Sequence, residues 1–483
     1  MQAPPDLLDA PMQATGQAGP LQRQLLQRLK QSILDGRLAA GARLPASREL
    51  AAELGISRNT VLIAYEHLAA EGYVVADRQG TRVAPLSCRT ATGAVAEPAV
   101  PQLARRVAAL VPPYAAGDAE MPLRPGTPAL ARFPLAAWRR SLERAWRTAP
   151  PGALGYGDPA GERALRAAIA QHVGISRGVR CDAEQVVITE GAQDALNLCV
   201  KLLADPGDTA WVEDPGYRGA RGALRAADLR VVPVPVDADG LAADEALWRR
   251  APPRLVYVSP SHQYPTGAVL SAARRLDLIA RAAACGAWIL EDDYDSEFRH
   301  QGEPIAAMQG LAPHAPVLYV GTFSKTMFPA LRLGFAVLPP QVARQTRGAL
   351  GELLRGGHRL EQLALADFID TGQFVRHLGR MRRLYRQRQQ ALREALAAHL
   401  DVPHEVLGGR GGMHLTLRLP PQHPDHAVAA DARRHGMAPM PLSAFAFAPG
   451  LQHNGLVLGY GNTPAEQYPA LIARLAQVIR QVG

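Results

Sequence analysis

Lysine and cysteine are both scarce in this chain of 483 residues. Only three lysines occur, so arginine supplies almost all of the basic charge behind the formal net charge of +9. The four cysteines lie far apart, without metal-ligand spacing, which predicts neither a disulfide framework nor a cysteine metal site (Cys88, Cys181, Cys199, Cys285). This cysteine usage fits a reducing compartment, and we expect the cytoplasm.

Long apolar runs are missing too. No stretch of about 20 apolar residues occurs, so no transmembrane helix is expected. The N-terminal sequence MQAPPDLLDAPMQ is acidic and proline-rich, and it lacks the basic start and apolar core of a signal peptide. Hydrophobic residues make up 47% of the chain, which is enough for large buried cores. A chain of this length predicts at least two domains.

Composition and periodicity divide the chain into five segments. They predict a loose tail (1–19), a small helical domain (20–85), a linker rich in alanine and proline (86–118), a large α/β domain (119–370) and a small C-terminal domain (371–483).

The first domain shows helical periodicity followed by a hairpin pattern. We predict helices from Leu21 onwards, over Arg48–Leu54 with Ser47 as cap, and over Arg58–Ala70 with Ser57 as cap, then strands at Tyr73–Val75 and Thr81–Val83. Three helices and a two-stranded wing are typical of a winged helix-turn-helix, whose third helix enters the major groove of DNA.

Two motifs in this domain, LPASRELA from Leu44 and LGISRNTV from Leu54, resemble the GntR family of bacterial regulators. The resemblance implies a double-stranded DNA operator as partner. It assigns phosphate or guanine contacts to Arg48 and Arg58, the start of the recognition helix to Ser57, Asn59 and Thr60, and the wing tip to Arg78 and Gly80. Arginine can bind guanine in bidentate fashion, and helix N-terminal amides bind phosphate.

Apolar strand patterns alternate with helical stretches in the rest of the chain. Continuous apolar runs of this kind indicate a mostly parallel sheet with helices on both faces, an α/β fold (Val186–Thr189, Leu255–Val258, Trp288–Leu290, Val317–Val320). The last ~100 residues, with strand patterns at His414–Leu417 and Leu456–Leu458, predict a smaller α+β domain.

Lys325 lies in Gly-Thr-Phe-Ser-Lys-Thr, just after a predicted strand, where open α/β folds build their sites. Lys30 belongs to the first helix and Lys201 to a predicted solvated helix face. Pyridoxal phosphate (PLP) needs a lysine for its Schiff base, an acid for its ring nitrogen, donors for its phosphate and a flat cover for its ring. Lys325 is therefore the predicted attachment site for PLP.

An acidic cluster precedes Lys325 by about thirty residues. Asp292 follows the apolar run that ends at Leu290, so its carboxylate should emerge at a strand end, where it suits the ring nitrogen. On chemistry alone, Glu291, Asp293 and Asp295 compete for this role.

A phosphate turn is predicted where Gly191, Ala192 and Gln193 open a helix after a strand. The free amides and the dipole of such a helix start favour a phosphate group. Thr322 and Arg332 can add hydroxyl and guanidinium contacts.

From about Gly126 to the C-terminus the chain resembles the fold-type I PLP family, in its aminotransferase class I/II branch. The motifs that carry the likeness include Tyr156–Gly161, Asp214–Tyr217 and Pro265–Gly267. The resemblance assigns the Schiff base to Lys325, the ring nitrogen to Asp292, the ring 3-hydroxyl to Tyr294, ring stacking to Tyr217, the phosphate to Thr322 and Arg332, and the neighbouring subunit's phosphate to Tyr156.

Two departures distinguish this chain from the enzymes of that branch. Tyr264 stands where they place an asparagine that supports the ring hydroxyl, and the late strand Leu456–Tyr460 lacks the arginine that clamps a substrate carboxylate. Arg218 or Arg221 could replace that arginine. These departures resemble the MocR subfamily of GntR regulators, which implies a homodimer whose cofactor sites are lined by both subunits.

The resulting prediction is a PLP-dependent transcriptional regulator that senses an amino compound or PLP itself. Vitamin B6, an amino acid such as GABA and a taurine-like amine all fit as effectors. One alternative is an active aminotransferase with an accessory DNA-binding domain. Another is a DNA-binding protein whose large domain only dimerises and has lost PLP.

Overall fold

The computed structural model describes residues 19–78, 80–86, 103–108, 110, 120–447 and 453–482. The chain divides into two compact units, Met1–Gln102 and Leu103–Gly483. Almost all of the predicted tail and most of the predicted linker lie outside the described residues, as does Gln79 in the predicted wing tip. Over the described ranges, no helix combines the length and hydrophobicity needed to cross a bilayer.

The first unit has the predicted order of three helices and a hairpin. Its elements are α1 (Leu21–Leu34), α2 (Ser47–Leu54), α3 (Arg58–Ala70), β1 (Val74–Asp77) and β2 (Gly80–Val83), with the two strands antiparallel. The periodic apolar residues of the helices form its core, where Leu25, Leu29, Leu50, Val61 and Leu68 are fully buried. Burial of these side chains is the main force that holds such a small unit together.

The two predicted helix caps of this unit have different outcomes. Ser57 caps α3 as predicted, because its Oγ accepts a hydrogen bond from the Thr60 amide at 3.1 Å. The prediction for Ser47 is wrong, since Ser47 is the first residue of α2 and Ala46 precedes the helix. The Ala46 amide donates to the Glu49 carboxylate at 3.3 Å, so a glutamate in the first turn replaces the serine cap.

The second unit contains twelve helices and twelve strands among the described residues. Its helices are α4 (Arg105–Ala108), α5 (Leu135–Thr148), α6 (Arg163–Arg177), α7 (Ala192–Leu203), α8 (Arg218–Ala226), α9 (Glu245–Arg250), α10 (Ala272–Cys285), α11 (Pro340–Leu353), α12 (Arg359–Asp370), α13 (Gln373–His399), α14 (Asp425–Arg434) and α15 (Tyr468–Val482). Its strands are β3 (Val186–Thr189), β4 (Thr209–Asp214), β5 (Arg230–Asp237), β6 (Gly240–Leu241), β7 (Leu255–Val258), β8 (Trp288–Asp293), β9 (Val317–Thr322), β10 (Gly334–Val337), β11 (Glu405–Leu407), β12 (His414–Arg418), β13 (Met440–Pro441) and β14 (Gly455–Gly459).

Eight of these strands form one sheet in the order β3-β10-β9-β8-β7-β4-β5-β6. The neighbours from β9 to β5 pair in parallel, whereas β10 runs antiparallel to β3 and β9, and β6 antiparallel to β5. The predicted mostly parallel sheet is confirmed. Because parallel strands end at the same edge, the segments that follow β4, β7, β8 and β9 meet there.

Both faces of this sheet are buried, which explains its continuous apolar strands. In β7, Leu255 and Tyr257 belong to a core that includes residues of α7 and α8. Val256 and Val258 point the other way, into a core that includes residues of α10. Alternate side chains of one strand therefore enter two different cores.

The remaining strands form an antiparallel sheet in the order β11-β12-β14-β13. The segment that leads from Leu123 is tied to it, because the Gly459 amide donates to the Leu123 carbonyl at 2.8 Å. The Leu123 amide in turn donates to Thr463 Oγ1 at 2.9 Å. These bonds hold the residues just before Gly126 against the C-terminal sheet.

Candidate functional site

Lys325 lies on the turn after β9, at the edge where the parallel strands end. Its side chain is half-buried, and Nζ donates to the Gly126 carbonyl at 2.6 Å. Burial lowers the pKa of Lys325, although the charges of Asp295 and Asp292 oppose this shift. An amine that loses its proton more readily is a better nucleophile towards a carbonyl group.

The other two lysines are placed in ordinary surroundings. Lys30 on α1 forms an ion pair with Glu71, and Lys201 is exposed on α7, as predicted. Lys325 is therefore the lysine that the fold brings to a strand-end site.

Asp292 is buried at the end of β8 and has one carboxylate oxygen to spare. Its Oδ2 accepts a hydrogen bond from the Tyr257 hydroxyl at 2.7 Å. Its Oδ1 is buried and accepts no hydrogen bond from the part of the chain that the structure describes. Burial raises the pKa of Asp292 to about 7. A buried acceptor of this kind fits the protonated ring nitrogen of PLP, which would pair with the carboxylate.

The three competing acids have partners of their own. Asp293 accepts from Arg177 at 2.7 Å, and Glu291 accepts from the backbone amides of residues 308 and 309 at 2.9 and 3.0 Å. Asp295 lies 3.1 Å from His262 Nδ1. The geometry thus leaves Asp292 as the member of the cluster best suited to the ring nitrogen.

The predicted phosphate turn lies between β3 and α7. Gly191 has a φ of +89°, a left-handed conformation that favours glycine, and α7 begins at Ala192. Arg332 reaches this turn, since its guanidinium donates to the Glu190 carbonyl at 2.7 Å. A Cβ added to Gly191 would lie 3.5 Å from that guanidinium. Helix amides and an arginine thus lie together, a combination suited to a phosphate group, and Thr322 ends the nearby strand β9.

Tyr217 lies between Gln193 of the phosphate turn and Tyr257, the residue that holds Asp292. The half-buried ring of Tyr217 lies 6.5 Å, centroid to centroid, from that of Tyr257. The Tyr217 hydroxyl is 3.5 Å from Gln193 Oε1, and the Gln193 amide donates to the Gly219 carbonyl at 3.0 Å. Tyr217 is therefore placed beside the acid, as a flat cover for the ring requires.

The last two predicted cofactor residues differ in their surroundings. Tyr294, half-buried, donates its hydroxyl to the His262 carbonyl at 2.9 Å. Tyr156 is 94% exposed, and the single chain does not bring it into hydrogen-bonding contact with the described residues of this cluster.

Several residues of the site do not follow from the sequence patterns. The Gly126 carbonyl holds the lysine, and Tyr257 holds the acid, where the signal was a lone hydroxyl in an apolar strand. Gly334 lies against the phosphate turn, because a Cβ there would be 2.7 Å from the backbone of Gly191.

Glu213 is another buried acid that the sequence did not single out. Burial raises the pKa of Glu213 to about 7, and its carboxylate accepts from the Ser259 hydroxyl at 2.6 Å and from the Gln263 amide at 3.3 Å. Gln263 also accepts from the Thr266 hydroxyl at 2.7 Å. Gln263 thus links the end of β4 to the Pro-Thr-Gly turn.

The first unit presents its predicted DNA-contacting residues on the surface. Arg48, Ser57, Arg58, Asn59 and Arg78 are exposed, and Thr60 is partly buried. Arg58 Nε donates weakly to Ser47 Oγ at 3.4 Å, which joins the starts of α2 and α3. Gly80 opens β2 with a φ of +123°, and a Cβ there would lie 2.9 Å from Arg43 Nε. Exposed arginine at the start of a helix suits contacts with DNA.

Two family models match the chain, each over one of these regions. The model of bacterial regulatory proteins of the gntR family matches residues 21–83, and that of aminotransferase class I and II matches residues 121–464. The probable rhizopine catabolism regulatory protein MocR of Rhizobium meliloti is 40% identical over 91% of this chain and 90% of its own. The chain belongs to the MocR subfamily of GntR transcriptional regulators. The predicted combination of a GntR-type domain with an aminotransferase-like domain, and the predicted fold class, are thereby confirmed.

Other relatives of this MocR-type regulator include a transcriptional regulator that matches nearly the whole chain and an aminotransferase that matches a smaller part of it. The pyridoxine biosynthesis transcriptional regulator PdxR of Corynebacterium glutamicum is 32% identical over 94% of this chain and 95% of its own. The solved α-aminoadipate aminotransferase LysN of Thermus thermophilus, in complex with N-(5'-phosphopyridoxyl)-L-leucine, is 29% identical with a TM-score of 0.69. LysN covers 78% of this chain, against 95% of its own. The relatives that span both halves are regulators, so transcriptional regulation is supported over transamination.

Proposed function

We propose that this MocR-type regulator holds PLP in its aminotransferase-like domain and senses an amino compound or PLP itself there. The observation that carries the proposal is the buried Oδ1 of Asp292, which accepts no hydrogen bond from the described residues and lies at the same sheet edge as Lys325, whose pKa is lowered. A large domain used only for dimerisation would have no reason to keep an unpaired buried carboxylate oxygen, which is costly.

Each residue has a distinct task in this proposal. PLP supplies an aldehyde for an amine and a ring that withdraws electrons. Lys325 binds the aldehyde carbon, and Asp292 keeps the ring nitrogen protonated. The amides of Gly191, Ala192 and Gln193, with Thr322 and Arg332, hold the phosphate. Tyr217 covers the ring, and Tyr294 donates to the 3-hydroxyl.

The regulatory output requires an effector that binds two arrangements of the protein with different affinity. An effector amine that displaces the Lys325 amine would release that side chain, whose free amine could then donate to the Gly126 carbonyl as it does in this structure. The late strand β14 offers no arginine to clamp an α-carboxylate, which disfavours turnover of ordinary amino acids.

We also propose that the protein is a homodimer. It should act in the cytoplasm, where the operator DNA is. Several large apolar side chains around α5 and the turn after it are exposed, namely Leu135, Trp146, Leu154 and Tyr156. Exposed apolar clusters commonly mark protein interfaces. Such a dimer agrees with the family resemblance, which assigns Tyr156 to the cofactor phosphate of the neighbouring subunit.

The three lysines make the attachment site directly testable. The protein loaded with PLP is reduced with borohydride, digested and mapped by mass spectrometry. We expect the phosphopyridoxyl mass on the peptide of Lys325, and loss of the visible absorption in Lys325→Ala. The mass on Lys30 or Lys201, or a Lys325→Ala protein that keeps both its absorption and its effector response, would contradict the proposal.

A footprint upstream of the gene distinguishes the two effector classes. Protection that changes with PLP alone identifies PLP itself as the signal. Protection that changes only when an amine such as GABA or taurine joins PLP identifies an amino compound. A footprint indifferent to both would rule out this function.

A further inference from the structure

His262 and Asp295 form a buried pair directly behind Tyr294. Their side chains are 3% and 2% exposed, and His262 Nδ1 lies 3.1 Å from each oxygen of the Asp295 carboxylate. The Tyr294 hydroxyl oxygen lies 3.0 Å from the same nitrogen and donates to the backbone carbonyl of His262 at 2.9 Å. Tyr294 therefore meets both the ring and the backbone of one histidine.

The network fixes which atoms donate. A carboxylate accepts only, so its neighbour Nδ1 carries the proton, as we assign it from the hydrogen-bond partners. The Tyr294 proton goes to the His262 carbonyl, so the phenol oxygen can share the single Nδ1 hydrogen with the Asp295 carboxylate. If the phenol donated to a cofactor oxygen and not to the His262 carbonyl, the phenol oxygen could still accept a hydrogen bond from Nδ1–H.

Glycine backbones confine this pair. A Cβ on Gly412 would lie 2.0 Å from His262 Cε1 and 2.6 Å from Asp295 Oδ2. A Cβ on Gly267 would lie 3.3 Å from His262 Nε2. The ring thus fits between two backbone segments, which limits its rotation.

Tyr264 explains why such a pair is needed. It stands where the enzymes have an asparagine that supports the cofactor 3-hydroxyl, and its ring packs edge-on against Tyr294 at 5.9 Å and His414 at 5.1 Å, centroid to centroid. An aromatic contact of this kind does not replace an amide donor. The polar contacts that reach the Tyr294 hydroxyl come instead from His262.

The charges around Tyr294 work against donation. Burial raises the pKa of Tyr294 well above its usual value, and the neighbouring acidic groups raise it further. The titratable groups that face it are Asp295 and Asp292 from β8 and the turn after it, Glu213 from β4, His262 and Tyr264 from the segment after β7, and His414 from β12 behind His262.

We propose that His262 and Asp295 are positioning residues that make Tyr294 a strong donor to the cofactor 3-hydroxyl. Asp295 holds the imidazole so that its one Nδ1 hydrogen, shared by the carboxylate and the phenol oxygen, stays directed at Tyr294. This inference rests on the proposed function, since it needs PLP in the site. It assigns to His262 the support that the enzymes obtain from asparagine.

The test is a pH titration of the visible absorption of the full-length protein loaded with PLP. A donor to the 3-oxygen favours the form with negative charge there, so losing the donor raises the midpoint. We expect Tyr294→Phe to raise the midpoint, and His262→Leu to raise it by up to about one pH unit, which is about 1.4 kcal/mol. The double variant should match Tyr294→Phe alone, because His262 acts through Tyr294.

Two further variants control for packing. In His262→Asn the amide nitrogen can take the place of Nδ1, so we expect the midpoint to return towards the wild-type value. His414→Asn removes a buried histidine that has no bond to Tyr294, and it should leave the midpoint unchanged.

Three results would overturn the inference: an unchanged midpoint in His262→Leu, additive shifts in the double variant, or an equal shift in His414→Asn. The last would indicate a function that His262, Asp295 and His414 share, such as binding of a metal ion, for which their ligand atoms are close enough. If His262→Leu does not fold, the midpoints of His262→Asn and Asp295→Asn are compared with that of wild type. A raised midpoint in Asp295→Asn alone supports the inference, and an unchanged midpoint there overturns it. A wild-type protein that takes up no PLP would refute the proposed function instead.

Discussion

The two units of this chain hold their predicted functional residues in opposite environments. In the first, Arg48, Arg58 and Asn59 are exposed and lie within a dozen residues of one another. In the second, Asp292 is buried and Lys325 is held by a carbonyl 199 residues away in the sequence. The predicted DNA-contacting surface is local in sequence, whereas the candidate cofactor site exists only in the assembled fold.

This difference predicts how each region responds to substitution. Exposed side chains can be removed with little effect on stability, so changes there should alter DNA affinity alone. Buried groups are held by neighbours, so changes there should alter cofactor binding and stability together.

The largest effect is expected where backbone meets backbone in the cofactor unit. In Gly334→Ala, the new Cβ would lie 2.7 Å from the Gly191 backbone and 3.0 Å from the Ala192 amide, which must then shift. We expect PLP affinity to fall at least about 100-fold, with a stability loss of about 1–3 kcal/mol. Titration of PLP absorption measures the PLP affinity, and urea unfolding measures the stability.

Gly348→Ala is the matched control for this change. Gly348 is exposed on α11, and a Cβ there meets nothing within 4 Å. It should keep PLP affinity unchanged, and an equal loss in both variants would show that the phosphate turn is not the cause.

A second effect concerns the pH dependence of the cofactor-free protein. Asp292 has a pKa of about 7 in the fold against an ordinary 3.8, so folding takes up a proton between these values. Its contribution is present below pH 4 and is lost as the pH rises to 7. When the pH is raised from 5 to 8, the unfolding free energy should decrease in wild type. We expect this decrease to be about 2 kcal/mol smaller in Asp292→Asn. The unfolding free energies are measured by urea unfolding at each pH. An equal change with pH in both proteins would contradict the buried, unpaired state of Asp292.

The third effect is confined to the unit with the predicted DNA contacts. Arg58→Ala should weaken operator binding by about 1–3 kcal/mol without changing PLP uptake. Arg37→Ala is the control, because Arg37 is also exposed but pairs with Asp35 beyond the end of α1. Fluorescence anisotropy with labelled operator measures both. A loss of PLP affinity in Arg58→Ala, or equal losses of DNA affinity in both variants, would break the contrast between the units.

Local patterns in the sequence were enough to predict several elements of the fold. Ser57 caps α3 as its position before a helical pattern predicts, and the apolar strands around Tyr257 and Asp292 lie in a mostly parallel sheet. The cap at Ser47 was predicted wrongly because a glutamate two residues later satisfies the helix start equally well.

The environment of the candidate site could not be predicted in the same way. Four neighbouring acids look alike in sequence, and only tertiary partners such as Arg177 distinguish Asp293 from Asp292. The contact of His262 with Tyr294 joins residues 32 positions apart, and it depends on glycine at position 412, in a different segment of the chain. The assignment of individual cofactor residues therefore stays a prediction that the variants above test.

The central claim is that the buried site governs the exposed one. The most direct measurement is operator affinity with and without PLP, for the wild-type protein and for Lys325→Ala. We expect PLP, with an amine if one is required, to change the wild-type dissociation constant by about 5–150-fold, the usual range of allosteric coupling, and to leave that of Lys325→Ala unchanged. The same change in both proteins, or no change in either, would contradict the account.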